Sequence, residues 1–111
     1  MSVLELAGTK VARLSAWVDR ANRDRGEALT WHRVAKCAEE AGEALSELLG
    51  MTGQNPRKGV YSDLDKLEEE LLDVAVAALG AVEHLHGNTG VSMELLVSKI
   101  DRVHARAGLE P

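Results

Sequence analysis

The chain has no phenylalanine, one tyrosine and two tryptophans among its 111 residues. With so few rings a core must be assembled from Leu, Val and Ala, which suits helices packed side by side. A single cysteine, Cys37, excludes an internal disulfide framework and fits a reducing compartment. Long apolar runs are also missing. The longest uncharged one, Val74 to Val82, is about half of the ~20 residues a bilayer span needs. The N-terminus, Met1-Ser2-Val3-Leu4-Glu5, lacks the basic-then-apolar layout of a signal peptide. The expectation is one cytoplasmic domain over residues 1–111 with no membrane partner.

Basic residues are outnumbered, 13 Lys and Arg against 18 Asp and Glu, for a net charge of −5. The imbalance is local. Residues 1–36 carry seven basic and four acidic groups, residues 37–86 three and eleven, and the remainder three of each. Such a balance argues against general nucleic-acid binding and gathers the acidity in the middle of the chain.

Within that acidic half, Leu67-Glu68-Glu69-Glu70-Leu71-Leu72-Asp73 runs into Val74-Ala75-Val76-Ala77-Ala78-Leu79-Gly80-Ala81-Val82. On a helix Leu67, Leu71, Val74, Ala78 and Val82 share one face, while Leu72, Val76 and Leu79 cover much of the other. A helix apolar nearly all round is expected to be buried on more than one side, and hence to need a second subunit. Asp73 falls inside this apolar run and Glu70 one turn before it. A buried lone carboxylate is costly unless it is paired, protonated or metal-bound. In Ala38-Glu39-Glu40-Ala41-Gly42-Glu43-Ala44, Glu40 and Glu43 repeat the i, i+3 spacing with Glu39 beside them. Residues three apart are neighbours on a helix, so two such helices side by side bring four or five carboxylates together. They repel unless a hard cation such as Mg²⁺ or Mn²⁺ takes the oxygens.

Taken in order, helix one is expected from Ser2 to Arg23 with Val3, Ala7, Val11, Leu14, Val18 and Ala21 as its buried stripe. Helix two begins near Thr30 as N-cap and runs to Leu49-Gly50. Its apolar face is Val34, Ala35, Ala38, Ala41, Leu45, Leu48 and Leu49, with Lys36, Glu40, Glu43 and Glu47 opposite. Taken alone that charged stripe reads better as a solvated face; taken with Glu70 and Asp73, and with the small Ala38, Ala41, Gly42 and Ala44 that let another helix approach, the functional reading is favoured. Gly50 to Tyr61 is a loop whose charges, Arg57 and Lys58, suit a phosphate grip or a plain surface turn. Helix three starts at Ser62 in a variant capping box with Asp65 and ends near His86. Gly87-Asn88-Thr89-Gly90 is a turn. Helix four begins near Ser92 with Leu96, Ile100, Val103 and Ala107 as its stripe. Glu83-x-x-His86 is half of a di-iron bundle signature, and the second half is absent.

The order Glu39-Glu40-x-x-Glu43, then Glu70-x-x-Asp73 on a following apolar helix, resembles the MazG-type all-α nucleoside triphosphate pyrophosphohydrolases. The likeness runs from about Trp31 to Arg106. It implies an all-α four-helix MazG-like bundle completed by oligomerisation, as a homodimer or dimer of dimers. It implies Mg²⁺-dependent cleavage of an NTP or dNTP to the monophosphate and pyrophosphate. In that reading Glu40, Glu43, Glu70 and Asp73 hold the metal, with Glu39 as a further ligand or the base that activates water. Trp31, Lys36, Arg57, Lys58, Lys99 and Arg102 are the substrate-contact candidates. Relatives often carry Lys-x-x-x-Asn-x-x-Arg on the last helix; Lys99 and Arg106 match it, but Val103 stands at the Asn position. Two other functions fit the same acids: a related enzyme for another phosphoanhydride such as phosphoribosyl-ATP, or a non-catalytic helical interaction module.

Overall fold

Each helix boundary follows from a local hydrogen-bonding choice. In the computed structural model, which describes residues 1–109, the regular structure consists of four helices: α1 (Val3–Ala21), α2 (Gly26–Thr52), α3 (Leu64–Leu85) and α4 (Ser92–Arg106). Ser2 caps α1 by accepting from the Glu5 amide at 3.1 Å. The α2 helix begins four residues before the expected Thr30. The Arg25 guanidinium closes the preceding turn by donating to the carbonyls of Asn22 at 2.6 Å and Asp24 at 2.7 Å. The Thr30 hydroxyl therefore lies inside the helix, 2.7 Å from His84 Nε2. At the other end Gly53 takes a left-handed conformation (φ 64°) and donates to the Leu49 carbonyl, which stops the helix.

The α3 cap is Asp63, one residue after Ser62, accepting from the Lys66 amide at 2.9 Å. The Ser62 hydroxyl instead donates to Glu47. Tyr61 pins the loop to α2, its hydroxyl donating to the Ser46 carbonyl at 2.9 Å. Glu83 is fully buried and caps α4, accepting from the amides of Gly90 at 2.9 Å and Ser92 at 2.8 Å. Burial pushes its carboxyl up, but the hydrogen bonds from Ser92 and Gly90 win and hold it below the usual range. The Glu83-x-x-His86 pattern is thus a structural cap.

The α3 helix is the common neighbour of the other three. It meets them along Leu67, Glu70, Val74, Ala77, Ala81 and His84, all half-buried or buried at spacings of three and four. The α1 helix is turned one residue from its expected stripe: Gly8, Ala12 and Ser15 are buried, while Val3, Leu14 and Ala21 are exposed. One residue is about 100° of helix rotation. The small residues face inward because α1 lies close to α3 and to the α3–α4 turn: the Ser15 hydroxyl donates to the Gly80 carbonyl inside α3 at 3.0 Å, and a β-carbon at Gly8 would stand 2.6 Å from the Gly90 carbonyl oxygen. Gly80 leaves room there for Arg33, whose Nη2 would stand 3.0 Å from a β-carbon at that position.

For α2 the covered face is Leu29, Arg33, Glu40, Ala44 and Glu47, the polar side, whereas Val34, Ala35, Ala38, Ala41, Leu45, Leu48 and Leu49 are all exposed. The reason is a polar seam. Arg33 is buried, donating to Asp19 Oδ1 at 2.6 Å and to the Ser15 carbonyl at 3.1 Å. Asp19 also accepts from His84 Nδ1 at 3.0 Å and Asn88 Nδ2 at 3.0 Å. Burial raises the Asp19 carboxyl, but Asn88, His84 and Arg33 together outweigh it and hold it below its ordinary range. On α4 the expected stripe is open: Leu96 is half-buried, and Ile100, Val103 and Ala107 are exposed. The radius of gyration is 16.7 Å, against about 13 Å for a compact chain of this length. Among the described residues no helix is long and apolar enough to cross a membrane.

Candidate metal centre

The polar seam sets the rotation of α2 so that its acidic line faces α3. Glu40 and Glu43, one turn apart, meet Glu70 of α3, and one carboxylate oxygen from each lies within 4.8 Å of the others. Glu40 and Glu70 are half-buried and Glu43 is exposed. One oxygen of Glu70, Oε2, is buried without a hydrogen-bond partner. A buried acceptor left unpaired costs on the order of 1–3 kcal/mol. Repulsion shows directly at Glu43, whose carboxyl is raised above its ordinary range chiefly by the charge of Glu40, with Glu70 contributing. Three converging oxygen donors with one buried lone acceptor fit a hard divalent cation.

Glu39 stands outside this trio. Lys36 Nζ donates to Glu39 Oε1 at 2.9 Å and lies 3.4 Å from Glu40 Oε1. That contact holds the Glu39 carboxyl below its usual range and the Lys36 ammonium above its own. Asp73 differs from expectation. It is exposed and is not among the converging Glu40–Glu43–Glu70 oxygens, and Leu71, Leu72 and Val76 on its side of α3 are exposed with it. It lines instead a cavity of about 460 Å³ beside the trio, shared by three helices. Leu14 and Val18 come from α1 and Asn22 from its C-cap, His32, Arg33, Lys36, Glu39 and Glu40 from α2, and Asp73, Val76 and Ala77 from α3.

The remaining substrate candidates scatter. Trp31 is 67% exposed and is not among the cavity residues; its neighbour His32 is. Lys58 lies over the Tyr61 ring at 5.8 Å, and Arg57 is exposed on the loop. Lys99 lines a separate apolar groove between α3 and α4, and Arg102 donates to Ser98 on its own helix. Only Lys36 of these cations reaches the carboxylates. Sequence reasoning missed Asn22, His32 and the Asp19–Arg33–His84 seam. Arg33 fell on the charged side of α2, which periodicity alone reads as wet, and no signal distinguished it. The chain matches no family model, and neither a curated protein nor a solved structure matches it. What the site can do rests on its own geometry.

Proposed function

We propose that this chain is a MazG-like, Mg²⁺-dependent nucleotide pyrophosphohydrolase that cleaves an NTP or dNTP to the monophosphate and pyrophosphate. The observation that carries the reading is the convergence of Glu40, Glu43 and Glu70, with Glu70 Oε2 buried and unpartnered, beside a cavity large enough for a nucleoside. Glu40, Glu43 and Glu70 would hold Mg²⁺, or Mn²⁺ in its place. Asp73 is the fourth carboxylate of the motif and serves the centre from the cavity side. When bound, the cation supplies charge neutralisation of the triphosphate and a lowered pKa for a water.

The residues do the rest. Leu14, Val18, Val76 and Ala77 offer the apolar surface a base requires, with Asn22 and His32 as polar groups at the same cavity. Lys36 offsets charge on the phosphate oxygens as pyrophosphate departs. Glu39 takes the proton of the attacking water. Its Oε1 is engaged by Lys36, leaving Oε2 for that proton. The exposed apolar faces of α2, α3 and α4 support a homo-oligomer as the working form. The test is pyrophosphate release from the eight common NTPs and dNTPs with millimolar Mg²⁺, for wild type and Glu70→Gln. Release by wild type that is lost in the variant is expected. No release from any nucleotide would leave the non-catalytic helical module as the better reading.

A further inference from the structure

The apolar line of α2 that its own chain leaves bare has a symmetric layout. Large residues stand at both ends, Trp31 (67% exposed) and Val34 (52%) on one side and Leu45 (55%), Leu48 (46%) and Leu49 (43%) on the other. Between them Ala38, Ala41 and Gly42 are small and exposed, and a β-carbon added at Gly42 would meet nothing within 4 Å. The spacing 31, 34, 38, 41, 45, 48 alternates three and four, the repeat of a helix-pairing seam. Reversed, the same line still matches itself. Trp31 falls opposite Leu48, Val34 opposite Leu45, and Ala38 opposite Ala41. We propose that α2 pairs antiparallel with α2 of a second copy of this chain, about a two-fold axis between Glu39 and Glu40, with the small residues at the crossing.

The chain as a whole carries more surface than a folded monomer of its size. A folded chain of 12.0 kDa is expected to expose roughly 6,000 Å², and this one exposes 7895 Å². The surplus, on the order of 1,900 Å², exceeds the ~800 Å² each partner hides in a standard interface. A two-fold interface must be self-complementary, each residue meeting the mate of the residue it faces, and the α2 line satisfies that condition. Small residues at the centre let the two axes approach near the lower end of the usual 8–10 Å separation, so that the large residues on either side interlock. The seam lies on the opposite side of α2 from Glu40 and Glu43, so pairing leaves the acidic line against α3. This inference is independent of the catalytic reading.

Two measurements on the full chain test it. Sedimentation equilibrium at tens of micromolar should give a dimer or a multiple of it for wild type. It should give a species of half that mass for Ala38→Glu, with helix content by circular dichroism unchanged, since residue 38 is exposed in the single chain and Glu is a good helix former. A wild-type monomer, or a variant of undiminished mass, overturns the proposal. For the register, Cys37→Ser serves as background. Val34→Cys with Leu45→Cys in one chain should form a covalent dimer on mild oxidation, as should an equimolar mixture of the two single variants. Within one helix these positions lie about 16 Å apart, too far for an internal bridge. Each single variant alone should stay uncrosslinked. Efficient crosslinking of either single variant to itself, or none in the double, overturns the antiparallel register.

Discussion

Arg33 of α2 and Asp19 of α1 meet at 2.6 Å, with side chains only 7% and 19% exposed. This pair fixes which side of α2 faces inward, and through it the position of every acid on that helix. Removing one partner of a buried ion pair leaves the other charge uncompensated, which typically costs about 3–5 kcal/mol. Asp19→Ala should therefore lose about that much stability in urea unfolding, since His84 and Asn88 lose the same acceptor. An effect under about 1 kcal/mol would show that the seam does not set the helix rotation.

The pH dependence of stability follows from the same carboxylate. Asp19 is held below its ordinary value of 3.8 in the fold. A depressed acid contributes stability that is present above the unfolded pKa and is lost as pH falls through the folded one. Wild type should therefore lose stability below about pH 3.8 more steeply than Asp19→Asn does. Parallel acid profiles for the two proteins would contradict this.

Glu43 titrates with the opposite sign. Its pKa is raised above 4.5, so the native state holds the proton more tightly than the unfolded one. Stability then falls as pH rises from about 4.5 through the folded value, and the cost persists at neutral pH unless a cation relieves it. Glu43→Gln without metal should be at least as stable as wild type at pH 7 by thermal melting, and clear destabilisation would count against repulsion at the cluster.

Magnesium should stabilise the native state through the same residues. A ligand at a hundred times its Kd adds about 2.7 kcal/mol when it binds only the folded form. Melting temperature should rise with Mg²⁺ in wild type and far less in Glu43→Gln or Glu70→Gln. Equal responses in all three would remove the trio as the binding site.

Asp73 separates stability from activity. Because it is exposed, Asp73→Asn should change stability by no more than about 0.5 kcal/mol. If it serves the centre from the cavity, pyrophosphate release should fall roughly a hundredfold, about 2.7 kcal/mol of barrier. Turnover near wild type in the folded variant would take Asp73 out of the catalytic assignment.

The sequence by itself determined the helices and the acidic spacing. Periodicity and turn residues mark four helices, because helix formation and termination depend on contacts within a few residues. The Glu40–Glu43 and Glu70 positions were legible for the same reason, since i, i+3 neighbours are fixed by local geometry. Which way each helix faces was decided only by the tertiary structure. A hydrophobic pattern records which residues need cover, not which element supplies it. In α2 the long-range bonds of Arg33, Asp19, His84 and Asn88 turned the charged side inward and left the Val34–Leu49 stripe bare. Asp73 looked buried because its neighbours in sequence are apolar, yet Leu71, Leu72 and Val76 are themselves uncovered in the single chain. Burial depends on what lies across the gap, and that is set by partners dozens of residues away or on another molecule.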